Sequence, residues 1–529
     1  MKFNKIYKAT ITAACVASLG LMGTSCIDYE DNVNSNEVTD DMMAADNLRT
    51  GAFFQQMLRN VIVVADGNHL DSDYQVAQNL IHDIYSGYAT STLSSDGRAH
   101  QYIWVEQWNR AMYNFSYTGA MSPWKQIHEV AAANDQAEVS ALADIVKVLA
   151  MHRVADSYGP INYVSYGESG TFDPLQDIYT QFFKELDNSI EVLTTYANTG
   201  AKLLSEYDIV YQGNVTNWVK LANTLRLRLA LRVAYADDNL ARTEAEKSIN
   251  HPLGFVDSKA NRAKLGNYYH PIYTIHFEFG GSDGDTAPGA SIVSYMANMG
   301  DPRVSKYFTP ATDDGQYHGV RPGYQTDNVA KYRDHSKLSR FNMPAKDGNA
   351  APVILMTGAE SFFLRAEAAL RWNLGGDPAS LYAQGVQTSF DELEAGSAAN
   401  YLMSEATPGR FEDTVGSDHY NFKSSTTPKW NDGDSFEGKL ERIITQKWIA
   451  IYPDGCEGWT EFRRTGYPAL LPVTNNKSNG TIDTDLQVRR VPFPDTEYTN
   501  NLDGVQAGIR ALGGPDNGGT KLWWDQKPR

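Results

Sequence analysis

Cysteine is scarce in this chain, which has three cysteines among 529 residues. Cys15 falls in the N-terminal leader described below, and Cys26, directly after it, is predicted to carry lipid, so only Cys456 remains for the body of the protein. An intramolecular disulfide is thereby excluded there, and the fold has to be held together by packing. Hydrophobic residues make up 42% of the chain, which is enough for a large core and excludes a disordered polypeptide.

Positive charge is also sparse. The sequence has 46 lysines and arginines against 64 aspartates and glutamates, a formal net charge of −18, and no run of basic residues follows the leader. Proteins that bind nucleic acid need Lys- and Arg-rich surfaces that release counterions from phosphates. We therefore expect no nucleic-acid partner.

Apolar runs that approach the roughly 20 residues of a membrane helix are absent. The apolar stretch Ile11–Met22 follows three lysines and is too short for a permanent membrane helix, so residues 1–25 are predicted to be a secretory signal peptide. The segment Leu21–Cys26 resembles a bacterial lipobox, which predicts lipidation of Cys26; a plain secreted protein is the alternative. Residues 26–39 follow as an acidic linker that resembles the surface-export signal of Bacteroidetes lipoproteins, which implies a body outside the cell.

Motifs of common catalytic sites are absent. The pair His128–Glu129 lacks the second histidine of HExxH, and neither a GxSxG elbow nor a GxxxxGK[ST] phosphate loop occurs. Cys456 is expected to have no role in catalysis or binding. A glycosidase needs only two carboxylates about 5 to 10 Å apart, so the 64 acidic residues leave that reaction class open.

A cofactor is not expected, although three oxygen-rich clusters allow a structural Ca²⁺, which takes roughly six to eight oxygen ligands. None of the three has the spacing of an EF-hand, so solvated turns are the favoured interpretation. The clusters are Ser282–Asp285, Asp313–Asp314 and Asp432–Asp434.

Apolar residues recur at intervals of three and four along much of the chain, which predicts a mostly α-helical protein. Many of the predicted helices fall into pairs separated by short breaks, as tetratricopeptide hairpins do. In one of them, Val215–Ala236, leucines fill a face and three arginines are expected to pair with acids in the core. The predicted helices are Asp40–Val64, Tyr74–Tyr88, Ser122–Ala133, Ala137–Tyr158, Pro174–Tyr196, Val215–Ala236, Leu240–Ile249, Pro288–Met299, Pro352–Trp372, Pro378–Glu394 and Phe436–Tyr452.

Loop-rich stretches interrupt these helices. Residues around 250–350 and 400–440 are rich in Gly, Asp, Asn and Tyr, and a third such stretch runs from Pro468 to the C-terminus. Loops this long in an ordered protein usually carry function or pack tightly onto the scaffold. We therefore expect a single body over residues 40–529, built as a helical repeat with loop-rich insertions.

Several segments form a recognisable set in fixed order along the chain. They are DSYGPINY (156–163), NWVKLANTLRLRLALRVA (217–234), GDPRVSKYF (300–308), ILMTGAESFFLRAEAALRW (354–372), GGDPASLYAQGVQTSF (375–390), IITQKWIAIYPDGCEGWTEFRRTGYP (443–468), RRVPFPDTEYTNN (489–501) and KLWWDQ (521–526). With the lipobox, this set resembles the SusD/RagB family of outer-membrane nutrient-binding lipoproteins, in particular its SusD-like subgroup associated with starch-type uptake. The resemblance covers nearly the whole chain.

The resemblance implies a helical scaffold of about four tetratricopeptide-like hairpins, with a loop-rich inserted and C-terminal part that binds ligand. It also implies a non-catalytic protein that captures an oligo- or polysaccharide and passes it to a SusC-like TonB-dependent transporter. The implied partners are that transporter, an oligosaccharide and, through the lipid anchor, the outer membrane.

A glycan site should combine aromatic rings, which stack on the apolar faces of sugars, with polar side chains that meet the hydroxyl groups. Two loop segments, residues 94–108 and 313–324, have that composition. Trp104 and Tyr317 are the leading candidates. The full candidate set is Arg98, Tyr102, Trp104 and Trp108 in the first segment, and Tyr317 and Tyr324 in the second.

Two other functions stay open. The same fold and transporter partner can serve a peptide or another nutrient instead of a glycan. Alternatively, the chain is a surface glycoside hydrolase with an all-helical body, which would release reducing ends from its glycan.

Overall fold

The computed structural model describes residues 47–66, 69–93, 98–279, 284–325, 328–344 and 351–528, without the side chain of Asn267. The predicted signal peptide, the lipidation site Cys26 and the acidic linker lie outside these residues. Arg49–Arg529 form one compact unit. No helix in the described ranges combines the length and the apolar character that crossing a bilayer requires.

Helices dominate the structure, which confirms the mostly α-helical class. Those of the first half are α1 (Leu48–Val61), α2 (Asp71–Tyr74, continued as the π-helix Gln75–Asp83), α3 (Glu106–Asn109), α4 (Ala111–Ser116, followed by a π-turn Tyr117–Met121), α5 (Ser122–Ala133), α6 (Ala137–Tyr158), α7 (Leu175–Ala197), α8 (Val215–Arg232) and α9 (Asp238–Ile249). Those of the second half are α10 (Ile272–Phe277), α11 (Ala290–Asn298), α12 (Val304–Tyr307), α13 (Gly358–Trp372), α14 (Pro378–Glu392), α15 (Phe436–Ala450), α16 (Gly455–Thr465), α17 (Asp495–Asn500) and α18 (Leu502–Leu512). Short 3-10 turns lie at Ala99–Gln101, Val329–Arg333 and Tyr401–Met403.

The scaffold is a stack in which consecutive helices pack against one another. The chain runs from α5 through α9 in this way, and α13 packs against both α14 and α15. Helix α6 lies at the centre, with 19 of its 22 residues buried, and α8 is similar, with 15 of 18 buried. A helix that is apolar or paired on every side can sit inside a repeat stack, because its neighbours on both sides remove it from water.

Side-chain caps fix where several scaffold helices begin. Asn214, Thr357, Asp377 and Asp454 each accept a hydrogen bond from a backbone N–H in the first turn of α8, α13, α14 and α16. Such caps satisfy donors that have no partner inside the helix, and each stabilises its helix by about 1 kcal/mol.

The strands are short; β7 and β8 form a local hairpin, and the other pairs join segments that are distant in the sequence. They form four antiparallel pairs in the described ranges: β1 (Ala89–Ser91) with β3 (Thr286–Pro288), β2 (Ala263–Tyr269) with β6 (Pro352–Met356), β4 (Phe308–Thr309) with β5 (Arg340–Phe341), and β7 (Arg410–Glu412) with β8 (His419–Asn421). The expected helix Pro352–Trp372 is therefore wrong at its start. Residues 352–356 extend along β2 instead, and the helix begins after Thr357.

A buried cluster of charges joins the two halves of the scaffold. In α8, Arg228 lies 2.6 Å from Glu360 and Arg232 lies 2.6 Å from Glu457. Lys447 of α15 lies 2.8 Å from Glu457. Burial alone would raise the pKa of Glu457, but Arg232, Lys447 and Arg228 hold it well below its ordinary value. These pairs confirm the expectation that the arginines of this helix meet acids in the core.

Candidate functional site

A cleft of about 680 Å³ opens beside Trp104, within the size range of small-molecule sites. We call it the Trp104 cleft. Its apolar and aromatic lining comprises Tyr102, Ile103, Trp104, Ile482, Pro492, Phe493 and Tyr498. Its polar lining comprises Glu106, Asn109, Lys477, Ser478, Asn479, Thr481, Asp495, Asp516 and Asn517. Aromatic rings bordered by amides, hydroxyls and carboxylates are what a sugar ring requires.

Close backbone packing sets the position of the Trp104 ring. A Cβ added to Gly518 would lie 2.5 Å from Cζ2 of Trp104 and 2.9 Å from Cδ1 of Ile482, so the ring and the isoleucine fill the space that glycine leaves. Tyr85 adds an edge-to-face contact with ring centroids 6.2 Å apart. The indole remains half-buried, held by the protein on these sides and part of the cleft wall on another.

Tyr498 supplies a second aromatic wall and is the more open of the two, with 40% of its surface exposed. Its hydroxyl donates a hydrogen bond of 2.7 Å to Oδ2 of Asp516. Asp516 also accepts from the backbone N–H of Phe493 at 3.0 Å and from Arg490. The tyrosine is thus oriented by a carboxylate that is itself fixed from two directions.

The cleft carboxylates differ in their surroundings. Asp495 accepts two hydrogen bonds from Nη1 of Arg110, at 3.1 and 3.2 Å, so it is already paired. Glu106 is exposed, and partial burial together with the charge of Asp495 raises its pKa, against the opposing effect of Arg110. The polar rim therefore presents fixed acceptors close to the aromatic walls.

The floor of the cleft contains an unsatisfied acceptor. Asn109 is 1% exposed, and its side-chain oxygen receives no hydrogen bond from the described residues. Its backbone carbonyl accepts from the hydroxyl of Tyr158, which fixes the residue in the floor. A buried acceptor without a partner costs about 1 to 3 kcal/mol.

A polar loop, residues 476–487, forms one side of the Trp104 cleft, and we call it the partition loop. The side chain of Asn476 donates to the carbonyl of Ile482 at 2.8 Å and to Oγ1 of Thr484 at 2.9 Å. Ser478 donates to Oδ1 of Asn476 at 2.7 Å and accepts from the N–H of Ile482 at 3.0 Å. Asp483 accepts from two following backbone N–H groups at 2.8 Å each. Side-chain bonds of this kind stabilise turns, so the loop keeps a defined shape.

The two predicted candidate segments meet in the structure, although their rings do not share one cleft. Nε2 of Gln101 donates to the carbonyl of Tyr324 at 3.1 Å, and the N–H of Gly323 donates to Nδ1 of His100 at 3.3 Å. Tyr317 is half-buried and lies outside the lining of the Trp104 cleft. Residues 94–97 of the first segment fall outside the described ranges.

Burial separates the remaining candidates. Tyr324 is 4% exposed in a small apolar cluster with Val320 and Tyr332, and its hydroxyl donates to the carbonyl of Ser91. Trp108 is 8% exposed, and Arg98 lies over its ring, with 5.3 Å from Cζ to the centroid. Trp108 and Tyr324 are therefore buried outside the lining of the Trp104 cleft, and their role in ligand binding stays a prediction.

Tyr102 is 2% exposed, has a left-handed φ of 64°, and contributes to the lining of the Trp104 cleft. Burial raises the pKa of its hydroxyl. Of the six candidates, therefore, only Trp104 and Tyr102 line the cleft.

Residues that complete the cleft come from the C-terminal loop-rich stretch. Tyr498, Asp516 and Lys477 were not candidates, since no local pattern sets them apart from other polar and aromatic residues of that stretch. The available signals were the length of this loop region and the segment RRVPFPDTEYTNN, which contains Tyr498.

The oxygen-rich clusters and the cysteine can be compared with the geometry of the described residues. In the described ranges, no three His, Cys, Asp or Glu side chains are grouped so as to hold a metal ion. Asp314 lies 2.8 Å from His318, and Asp432 accepts from the indole of Trp430 at 2.8 Å; residues 282–283 are outside those ranges. Burial raises the pKa of the Cys456 thiol, which suppresses the reactive thiolate.

Comparison with known proteins identifies relatives in both sequence and fold. A model of the family described as "SusD-like: Susd and RagB outer membrane lipoprotein" matches residues 30–525. The comparison with curated proteins gives no match. Solved structures of SusD homologues share both sequence and fold with this chain.

Three of those structures are typical. A chitin-binding SusD homolog from Flavobacterium johnsoniae is 35% identical, with a TM-score of 0.83 and 90% of this chain aligned to 98% of that one. A SusD homolog from Bacteroides uniformis is 37% identical, with a TM-score of 0.83 and coverages of 90% and 99%. A SusD homolog from Bacteroides vulgatus is 33% identical, with a TM-score of 0.84 and coverages of 91% and 99%. The family match and the common fold together show that this chain belongs to the SusD-like family of SusD and RagB outer membrane lipoproteins.

Proposed function

We propose that this protein is a non-catalytic glycan-binding lipoprotein of the cell surface, which captures an oligo- or polysaccharide in the Trp104 cleft and delivers it to a SusC-like TonB-dependent transporter. The observation that carries the proposal is the pairing of two aromatic walls, Trp104 and Tyr498, with a fixed polar rim in one cleft of about 680 Å³. The chitin-binding relative from Flavobacterium johnsoniae supports a polysaccharide cargo.

Surface attachment is part of the proposal. Lipidation of Cys26 after removal of residues 1–25 would hold the body at the outer membrane, in line with the lipoprotein character of the family. Delivery is tested by purifying the full-length lipoprotein from the outer membrane of its host. Co-elution of a TonB-dependent transporter supports the partnership, and elution of the lipoprotein alone contradicts it.

Binding without hydrolysis fits the state of the cleft carboxylates. Asp495 is paired with Arg110, and Asp516 accepts from Arg490, Phe493 and Tyr498, so two of the three cleft carboxylates are already engaged, and Glu106 alone remains for hydrolysis. A glycosidase needs one carboxylic acid and one available carboxylate on opposite sides of the bond. We therefore expect no release of reducing ends from any glycan that binds.

The deciding experiment is affinity gel electrophoresis of the soluble form that starts after Cys26. The gels contain glycol chitin, soluble starch, xylan or mixed-linkage β-glucan, and Trp104→Ala is compared with wild type. The matched control is Trp372→Ala, since Trp372 is a half-buried tryptophan at the end of α13, outside the cleft. Retardation of wild type and of Trp372→Ala that is clearly weakened in Trp104→Ala supports the proposal.

Other outcomes point to the alternatives. A protein that none of the polymers retards, but that binds a peptide library in a Trp104-dependent manner, has peptide cargo. Release of reducing ends that Glu106→Gln abolishes would make the protein a hydrolase.

A further inference from the structure

We propose that the protein has a second carbohydrate-binding cleft, which holds a separate stretch of the same neutral polysaccharide chain. The inference rests on the proposed function and deepens it. The cavity measures about 770 Å³ and is lined by residues of the β7–β8 region, of α16 and the loop after it, and of the end of the chain. Three tyrosines, Tyr235, Tyr420 and Tyr467, stand in its walls, and we call it the Tyr420 cleft.

Tyr420 is held as a rigid platform. The guanidinium of Arg321 lies against its ring, with 4.9 Å from Cζ to the centroid. Arg321 is itself fixed, because Nε donates to the carbonyl of Pro472 at 2.8 Å and Nη1 donates to Asp418 at 2.9 Å. A half-buried ring whose orientation is set by such a support can stack on a sugar with little loss of side-chain entropy.

The polar groups around Tyr467, in another part of the cleft wall, are also fixed in position. The hydroxyl of Tyr467 donates to Oε2 of Glu437 at 2.9 Å, and Nζ of Lys527 lies 4.2 Å from the centroid of the Tyr467 ring. Lys527 is buried, and it donates to Glu437 and, at 2.8 Å, to the carbonyl of Thr465. The wall therefore combines aromatic surface with donors and acceptors whose positions are set before a ligand arrives.

The charges of the cleft cancel. Its charged lining residues are two lysines, Lys423 and Lys527, and two acids, Glu437 and Asp485. Lys527 pairs with Glu437, and Nζ of Lys423 lies 3.3 Å from Asp485 at the exposed rim. A site without net charge has no electrostatic preference for sulfated or uronic sugars, so the fitting ligand is a neutral oligosaccharide.

The two clefts are close neighbours because the partition loop borders both. Residues 477–482 face the Trp104 cleft, whereas Asp485, Leu486 and Gln487 line the Tyr420 cleft. Three residues of extended chain span at most roughly 11 Å, which bounds the Cα separation of Ile482 and Asp485. One polymer that occupies both clefts gains avidity, because the second contact becomes intramolecular.

The test compares the binding of a short and of a long ligand to the soluble form that starts after Cys26. Wild type, Tyr420→Ala, Tyr420→Phe, Trp104→Ala and the double variant Trp104→Ala/Tyr420→Ala are run in gels of each of the four polymers named above. Binding of the matching trisaccharide is measured by calorimetry. Tyr196→Ala controls for the loss of a half-buried tyrosine elsewhere, and thermal melts confirm that every variant is folded.

We expect Tyr420→Ala to weaken binding of the retarding polymer at least tenfold more than binding of its trisaccharide, while Tyr420→Phe, which keeps the ring, behaves as wild type. Trp104→Ala should retain a residual retardation that the double variant loses. If Trp104→Ala abolishes all retardation while Tyr420→Ala matches wild type on the polymer, the second cleft is overturned and the proposed function stands. If no polymer retards wild type, both are overturned.

Discussion

Tyr498 and Asp516 are joined by a hydrogen bond of 2.7 Å, in which the phenol in α17 donates to a carboxylate in the loop after α18. The same carboxylate accepts from Arg490 and from the backbone of Phe493. The most exposed aromatic ring of the Trp104 cleft is therefore oriented from the protein side, and its hydroxyl is already engaged before a ligand binds.

Tyr498→Phe should weaken glycan binding about fivefold, because a lost hydrogen bond of about 1 kcal/mol loosens the ring without removing it. Tyr498→Ala should cost tenfold or more, because the aromatic surface itself is gone. Calorimetry with the longest soluble oligosaccharide that binds wild type measures both. Equal affinities for wild type and the alanine variant would remove Tyr498 from the site.

Gly518→Ala should reduce glycan binding at least tenfold, because the new methyl group would lie 2.5 Å from Cζ2 of Trp104 and must displace the indole. The control is Gly433→Ala, where the added Cβ meets only the side chain of Asn431, at 3.3 Å. Affinity gels and near-ultraviolet circular dichroism of the tryptophans check the result. An unchanged tryptophan signal together with full binding would show that the ring has room to move.

Asp83 should give the protein a distinct dependence of stability on pH. Burial raises its pKa to about 6, against the hydrogen bonds from Asn79, Gln78 and Tyr74, and the charge of Asp454 raises it further. A carboxyl group whose pKa is higher in the folded than in the unfolded state contributes stability that is fully present below the unfolded pKa of about 3.9. That contribution is lost as the pH rises through about 6.

The comparison with Asp83→Asn isolates this group, since asparagine does not titrate. Between pH 4 and pH 7, the free energy of unfolding of wild type should fall by about 2 kcal/mol relative to that of the variant. Guanidinium melts of both proteins at closely spaced pH values measure the difference. A difference that stays constant over this range would place the folded pKa of Asp83 near its ordinary value.

Glu457→Gln should destabilise the protein by about 3 to 5 kcal/mol, because it leaves the buried charges of Arg232 and Lys447 without their shared partner. The matched control is Glu246→Gln, which breaks an exposed pair with Arg242 and should cost no more than about 0.5 kcal/mol. Denaturant melts of the two variants give the contrast. Similar small losses in both would mean that the buried cluster contributes little to stability.

Local patterns were sufficient for much of the scaffold. The predicted bounds Ser122–Ala133 and Ala137–Tyr158 agree with α5 and α6, because their apolar periodicity and end signals lie within the helices themselves. The sequence Pro352–Met356 continues the same apolar pattern as α13, yet it forms β6, since β2 supplies strand partners from about ninety residues earlier. A partner so distant leaves no mark on the local pattern.

The candidate site, too, could be predicted from local sequence only in part. Trp104 could be proposed from its own neighbourhood of aromatic and polar residues, and the structure places it in a cleft wall. Trp108 has the same neighbourhood but is buried, a difference that depends on tertiary packing. Tyr498 joins the site through Asp516 and Arg490, and no composition-based argument could have selected that combination.

Side chains of the partition loop have two roles: some hold the shape of the loop, and others line the Trp104 cleft. Asn476 and Asp483 hold the turns through their side chains, and Lys477, Asn479 and Thr481 line the Trp104 cleft, whereas Ser478 does both. Exchanging Lys477 or Thr481 leaves these side-chain hydrogen bonds in place, whereas Asn479 has a left-handed φ of 54°, which favours asparagine or glycine there. A few substitutions at Lys477 and Thr481 should therefore change the lining of the Trp104 cleft while the loop keeps its backbone conformation.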